Sequence, residues 1–113
     1  MPHFTIHCSQ PLLHQHAANT IMNNIHEIAV ASGLFNEQDI KVRILPFEHY
    51  LRAGVQQDFF NIFAEIMEGR TTEQKAKLSE ALIQAMHQLF PEVPMAMSIR
   101  DIEKATYFNA RWI

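Results

Sequence analysis

The chain has 113 residues, 48% hydrophobic and 19% charged, which predicts one globular domain spanning 1–113 and excludes a tandem of domains. Nine Lys and Arg against twelve Asp and Glu give a net charge of −3, without the basic excess that neutralising a phosphate backbone requires, so no nucleic acid partner is expected. With only three Gly there is almost no material for a glycine-rich phosphate cradle, which removes nucleotide-binding loops from consideration.

The opening MPHFTIHCSQ lacks a basic stretch followed by an apolar run, and no uncharged apolar segment approaches the ~20 residues of a membrane helix. A cytoplasmic protein with no membrane partner is expected. From His3 to Cys8, polar His3, Thr5 and His7 alternate with apolar Phe4, Ile6 and Cys8, the period-2 pattern of a half-buried strand. Cys8, the single cysteine, thus reads as an inert core thiol with no disulfide partner. The pairs His3/His7 and His14/His16 have no Cys or carboxylate cluster to complete a ligand set, so no metal is expected.

After Pro11, a segment running to about Ser32 carries Ile21, Ile25 and Ile28 at helical spacing, with Gly33 placed for a left-handed C-terminal cap. Ile40, Val42 and Ile44 then alternate with Lys41, Arg43 and Leu45, a second strand that Pro46 is expected to stop. Phe59–Met67 reads as a buried third strand with Phe60, Ile62, Ala64 and Ile66 on one face. Thr71 and Gln74 form a capping box opening a helix whose stripe is Leu78, Leu82, Ala85 and Leu89, ended by Pro91 and Pro94. Met95, Met97 and Ile99 alternate with Ala96, Ser98 and Arg100 as a fourth strand.

Ile21, Ile25 and Ile28 shifted by 57 positions fall on Leu78, Leu82 and Ala85, an internal repeat. The same shift carries Arg43 to Arg100, an outward cation in each unit's second strand. The fold class is therefore α+β: two βαβ repeats, about 1–57 and 58–113, giving a four-stranded sheet with two helices on one face. Two helices cover one face only, and burying the other calls for partner subunits, with a pocket at a subunit boundary.

Two loci carry chemistry. Removal of Met1 from in front of Pro2 leaves a secondary amine at the chain end, and the 57-residue shift of Pro2 lands on Phe59, whose nitrogen is an ordinary amide. Arg70 sits between strand three and the capped helix start, in Glu68-Gly69-Arg70-Thr71-Thr72-Glu73-Gln74-Lys75. MPHFTIHCS together with EGRTTEQKAKL resembles the tautomerase superfamily, which begins with a catalytic proline. Within it, Met1 to Phe4, Cys8-Ser9, Gly33-Leu34-Phe35 and Lys41-Val42-Arg43, in this order and spacing, resemble the 5-carboxymethyl-2-hydroxymuconate delta-isomerase family across nearly the whole chain.

The resemblance implies a homotrimeric, cofactor-independent enzyme of aromatic-compound degradation. It would move a proton in a 2-hydroxydienoate diacid with Pro2 as general base and acid and Arg70 as the loop cation. The family's strand-two arginine falls on Lys41 by the Ile-Arg motif, while the internal repeat singles out Arg43, so both are candidates for holding the dienol carboxylate. Lys is a point charge without the bidentate fork of Arg, so the choice bears on substrate preference. Phe47, Tyr50, Phe108 and Trp112 are the aromatic candidates for the pocket wall. Two other readings compete: a tautomerase for a different enol acid, and a non-enzymatic ferredoxin-like binding or assembly module. Strand order separates the last from the first, because a ferredoxin-like sheet interleaves its repeats.

Overall fold

The computed structural model describes residues 1–113. The main elements are β1 (His3–Ser9), a short α1 (Leu12–Gln15), α2 (Ala18–Ala31), β2 (Lys41–Phe47), β3 (Phe60–Met67), α3 (Thr72–Leu89) and β4 (Met95–Ile102). The strands form one sheet in the order β2-β1-β3-β4. β1 runs parallel to β2 and β3 parallel to β4, while the two central strands β1 and β3 are antiparallel. Each unit's two strands are thus adjacent, which excludes the interleaved ferredoxin-like arrangement.

Alternation sets the faces. Phe4, Ile6 and Cys8 of β1 and Phe60, Ile62 and Ala64 of β3 turn inward and meet Ile21, Ile25 and Ala29 of α2 and Leu78, Leu82 and Met86 of α3, forming a single buried core. Burial pushes the Cys8 thiol up to about 11, as expected of an inert core sulfur. The predicted capping box is present: Thr71 Oγ1 accepts from the Gln74 backbone N–H, and the Gln74 side chain accepts from the Thr71 N–H. Gly33 ends α2 at φ +72, the left-handed conformation for which glycine has no steric penalty.

Three expectations are corrected. The helix predicted from Pro11 to about Ser32 is split, because His16 and Ala17 are extended. The His16 ring, 3.0 Å from the Leu89 carbonyl and edge-on to Phe90, ties this break to the end of α3. Pro46 does not stop β2, which continues to Phe47. β2 is an edge strand, where a missing N–H interrupts little of the ladder.

The 57-residue shift holds for the helices, where Ile21, Ile25 and Ala29 correspond to Leu78, Leu82 and Met86. It holds as well for the second strands, where half-buried Val42 and exposed Arg43 correspond to Ile99 and Arg100, but it fails from β1 to β3, since it carries inward Phe4 to outward Asn61. Opposed residues on β1 and β3 have numbers summing to 68, as in His3 with Glu65 and Ile6 with Ile62. A two-fold relation that keeps each residue on its face therefore needs an even shift. The register of the second strands differs too, His3 facing Lys41 but Phe60 facing Met95, so the connection in repeat two is three residues shorter.

From the end of β4 the chain does not return to the core. Glu68 anchors its start by accepting the Lys104 N–H at 3.0 Å, and Arg111 meets Asp39, just before β2, at its end. Residues 103–113 therefore form a strap across the end of the sheet where β1 begins, passing from the β4 edge to the β2 edge.

Candidate active site

Pro2 is buried at the entrance to β1, and its carbonyl accepts the Lys41 N–H at 3.1 Å, which joins the start of β1 to the start of β2. Parallel pairing places His3 beside Lys41 and Thr5 beside Arg43, so both strand-two cations flank the first residues of the chain. Antiparallel pairing brings the end of β3, and with it the Gly69-Arg70 turn, to the other side of the same point. The topology thus gathers all four sequence-predicted residues at one end of the sheet and puts them on two sides of β1.

A pocket of about 440 Å³ opens on the β2 side, lined by Met1, His3, Gln38, Asp39, Lys41 and the strap residues Tyr107 to Arg111. Lys41 enters it while its ammonium donates to the Asp39 carbonyl at 3.0 Å. Arg43 lies next to it, its guanidinium donating to His3 Nδ1 at 3.1 Å, a bond that requires an unprotonated nitrogen there. Burial, and then the Arg43 and Lys41 charges, hold the His3 imidazole below its ordinary value, consistent with that bond.

Arg70 is placed differently. It donates to the Leu34 carbonyl at 2.6 Å and the Met67 carbonyl at 3.2 Å, and its guanidinium carbon stands 5.2 Å from the centre of the Phe35 ring. Phe35 in turn packs edge-on against Phe4. Arg70 therefore braces the loop after α2 against the end of β3 and does not line the 440 Å³ pocket.

The chain-end amine at Met1 is held below the ordinary α-amino value, first by burial and then by the Lys41 ammonium; Arg111 acts in the same direction and Asp39 against it. The Met1 amine, one residue ahead of the Pro2 nitrogen, is thus biased toward the neutral, proton-accepting form, and Pro2 itself does not line the pocket. The pocket offers cations for an anionic ligand and a base for a proton, and no group of three or more His, Cys, Asp or Glu is arranged to hold a metal ion.

The aromatic candidates divide. Phe108 lines this pocket, with Trp112 packed edge-on behind it at 5.6 Å between ring centres. Phe47 and Tyr50 instead line a separate hollow of about 560 Å³ at the opposite end of β1, with His7 between the Phe47 and Phe63 rings. Asp39, Tyr107 and Arg111 escaped the sequence reading. The strap has no period to read, and the only local signal is Asn109, whose side-chain oxygen accepts the Arg111 N–H at 2.9 Å.

Comparison with known proteins bears on this geometry. Solved structures with the same fold include a 5-carboxymethyl-2-hydroxymuconate delta-isomerase, 17% identical, covering 97% of this chain and 87% of its own, with a TM-score of 0.77. A 5-carboxymethyl-2-hydroxymuconate isomerase from Deinococcus radiodurans R1 is 19% identical over 99% of this chain and 94% of its own, with a TM-score of 0.79. A fused 4-OT described as a symmetric trimer is 22% identical over 96% and 91% of the two chains, with a TM-score of 0.80. No curated protein sequence matches significantly. The model of the family described as 5-carboxymethyl-2-hydroxymuconate isomerase matches residues 2–109, and with nearly the whole chain covered the protein belongs to that family.

Proposed function

We propose that this protein is a cofactor-independent isomerase that moves a proton within a 2-hydroxydienoate diacid of the 5-carboxymethyl-2-hydroxymuconate type, with Pro2 as the base and acid. The observation that carries the reading is the place of Pro2 at the start of β1, its carbonyl bonded to the Lys41 N–H, between Met1 and His3 of a pocket that Lys41 and Arg111 line as cations. In the processed chain, lacking Met1, the Pro2 nitrogen is a secondary amine. An α-amine titrates near ~7.7–8.0, and burial with neighbouring cations lowers it toward the range in which a neutral base is abundant at pH 7.

The amine takes the proton of the 2-hydroxyl, the electron pair moves into the conjugated chain as a dienolate, and the ammonium returns the proton to a carbon farther along. The hydroxyl becomes a ketone and nothing is gained or lost overall. Lys41 holds a carboxylate or the developing oxyanion as a point charge, with Arg43 behind it through His3. Arg70 contributes positive charge from the β3 side of β1 while its guanidinium stays on Leu34 and Met67.

The subunit assembly we favour is a homotrimer, supported by the trimeric fused 4-OT relatives and by the sheet face that the helices leave uncovered, where Leu45 is 50% and Phe63 43% exposed. No helix is long and apolar enough to cross a membrane.

The test is a spectrophotometric assay of the processed protein on a panel of dienol acids, with Pro2→Ala beside it. The diacid should be turned over fastest, and Pro2→Ala should lower kcat/KM by about 10²-fold or more, the usual contribution of a positioned acid-base group. An unchanged rate in Pro2→Ala would remove proline from the mechanism.

A further inference from the structure

The strap follows the last strand of the second repeat, and it delivers a side chain to the pocket. Arg111 lies on the 3-10 turn Ala110–Trp112, which Asn109 caps through the Arg111 N–H. The turn is packed by Trp112 edge-on to both Tyr107 and Phe108, at 5.8 and 5.6 Å between ring centres. These ring contacts hold the turn to the rest of the strap, with Phe108 69% and Trp112 60% exposed, and the Arg111 side chain itself is 62% exposed.

The only partner of that guanidinium is Asp39, at a single contact of 3.4 Å, with no bidentate pairing. An exposed pair of this kind contributes little to stability and exchanges readily. Asp39 is also the sole carboxylate lining the pocket, whereas Lys41 and Arg111 both line it as cations. A carboxylate ligand entering here meets one cation on each of two independent elements and one anion occupying the place it would take.

We infer that Arg111 is a specificity-determining residue that binds the second carboxylate of a dicarboxylate substrate, with Asp39 as the internal anion that this carboxylate displaces. The inference rests on the reading of this pocket as the substrate pocket, and it deepens that reading by dividing the work between two cations. Lys41, next to the chain-end amine, takes the reacting end, and Arg111 takes the far end and so selects diacids over monoacids. The pseudo-symmetric hollow at the start of β4 is lined by Tyr50, Leu51 and Arg52 of the segment after β2, and it has neither the chain end nor an acidic residue in its wall.

The experiment measures binding without turnover. Adipate and hexanoate, six-carbon probes with two carboxylates and one, are titrated calorimetrically into the full chain, with Trp112 emission recorded alongside as a report on strap docking, since it is the only Trp. Arg111→Gln should weaken adipate about five- to tenfold, as befits loss of one charge-assisted contact, and leave hexanoate unchanged. Arg111→Lys should recover part of the loss. Asp39→Asn should tighten adipate, since it removes the competitor.

If Arg111 merely latches the strap, Arg111→Gln and Asp39→Asn would act in the same direction on both probes, and that result overturns the inference. So does an unchanged adipate affinity in Arg111→Gln, or no saturable adipate binding by the unsubstituted chain. None of these outcomes depends on catalysis. An N-terminally extended form, its Pro2 nitrogen an amide, that kept its turnover would defeat the proton-transfer reading and leave the binding result standing.

Discussion

His3 connects the strand to the charge of the pocket, because it accepts a hydrogen bond from Arg43 and sits beside Lys41 in the parallel ladder. Burial and these two cations hold its imidazole below the ordinary value, so the folded state disfavours the proton that the unfolded chain accepts near ~6.5. The sign follows: this contribution to stability is complete above about pH 6.5 and is lost as pH falls below it, down to the lowered titration of folded His3. Urea midpoints at pH 7.5 and 5.5 should therefore fall further for the unsubstituted protein than for His3→Gln. Equal losses in the two proteins would mean that His3 is not the titrating group.

At the same scale, the sequence singled out Pro2, Lys41, Arg43 and Arg70 as candidates but not the different surroundings in which the fold sets them. Their proximity follows from strand pairing, which alternation makes readable. The commitment of Arg70 to the Leu34 and Met67 carbonyls does not follow, because Leu34 lies 36 positions away and its carbonyl carries no side-chain signal. Arg111 was invisible for a related reason: its role depends on where the strap crosses, 72 positions from Asp39.

Among the elements, those with a strong period and local end signals were read closely. α3 begins and ends where Thr71-x-x-Gln74 and Pro91 place its limits, since both signals act within one helical turn. Thr71→Ala should cost about 1 kcal/mol in a denaturant titration with an unchanged slope, the loss of one side-chain cap. No change in midpoint would mean that solvent serves the Gln74 N–H equally well. The break between α1 and α2 could not be read in this way, because what fixes it is the His16 ring on the Leu89 carbonyl, 73 residues away. Pro46 misled for a different reason: its cost depends on whether its strand is an edge, a property of sheet order rather than of the local sequence.

For the whole molecule, the repeat explains both what is shared and what is not. Two βαβ units bury one continuous core between sheet and helices, and the helix stripes keep their 57-residue spacing because each packs on its own strand pair. The units are not interchangeable. Only the first has a strand that begins near a chain end, and only that end of the sheet is crossed by the strap. A chemically distinct pocket thus arises from a nearly two-fold scaffold, with a depressed amine and two cations at one end and an aromatic hollow around His7 at the other.

The central claim is that the free proline amine is the proton carrier, and it is tested most directly by comparing two forms of one protein. Mass spectrometry would define a preparation beginning at Pro2 and another carrying one additional N-terminal residue, which turns the Pro2 nitrogen into an amide without basicity. On the dienol diacid, the processed form should turn over and the extended form should lose at least about 10²-fold in kcat/KM at unchanged stability. Equal rates in the two forms would contradict the account.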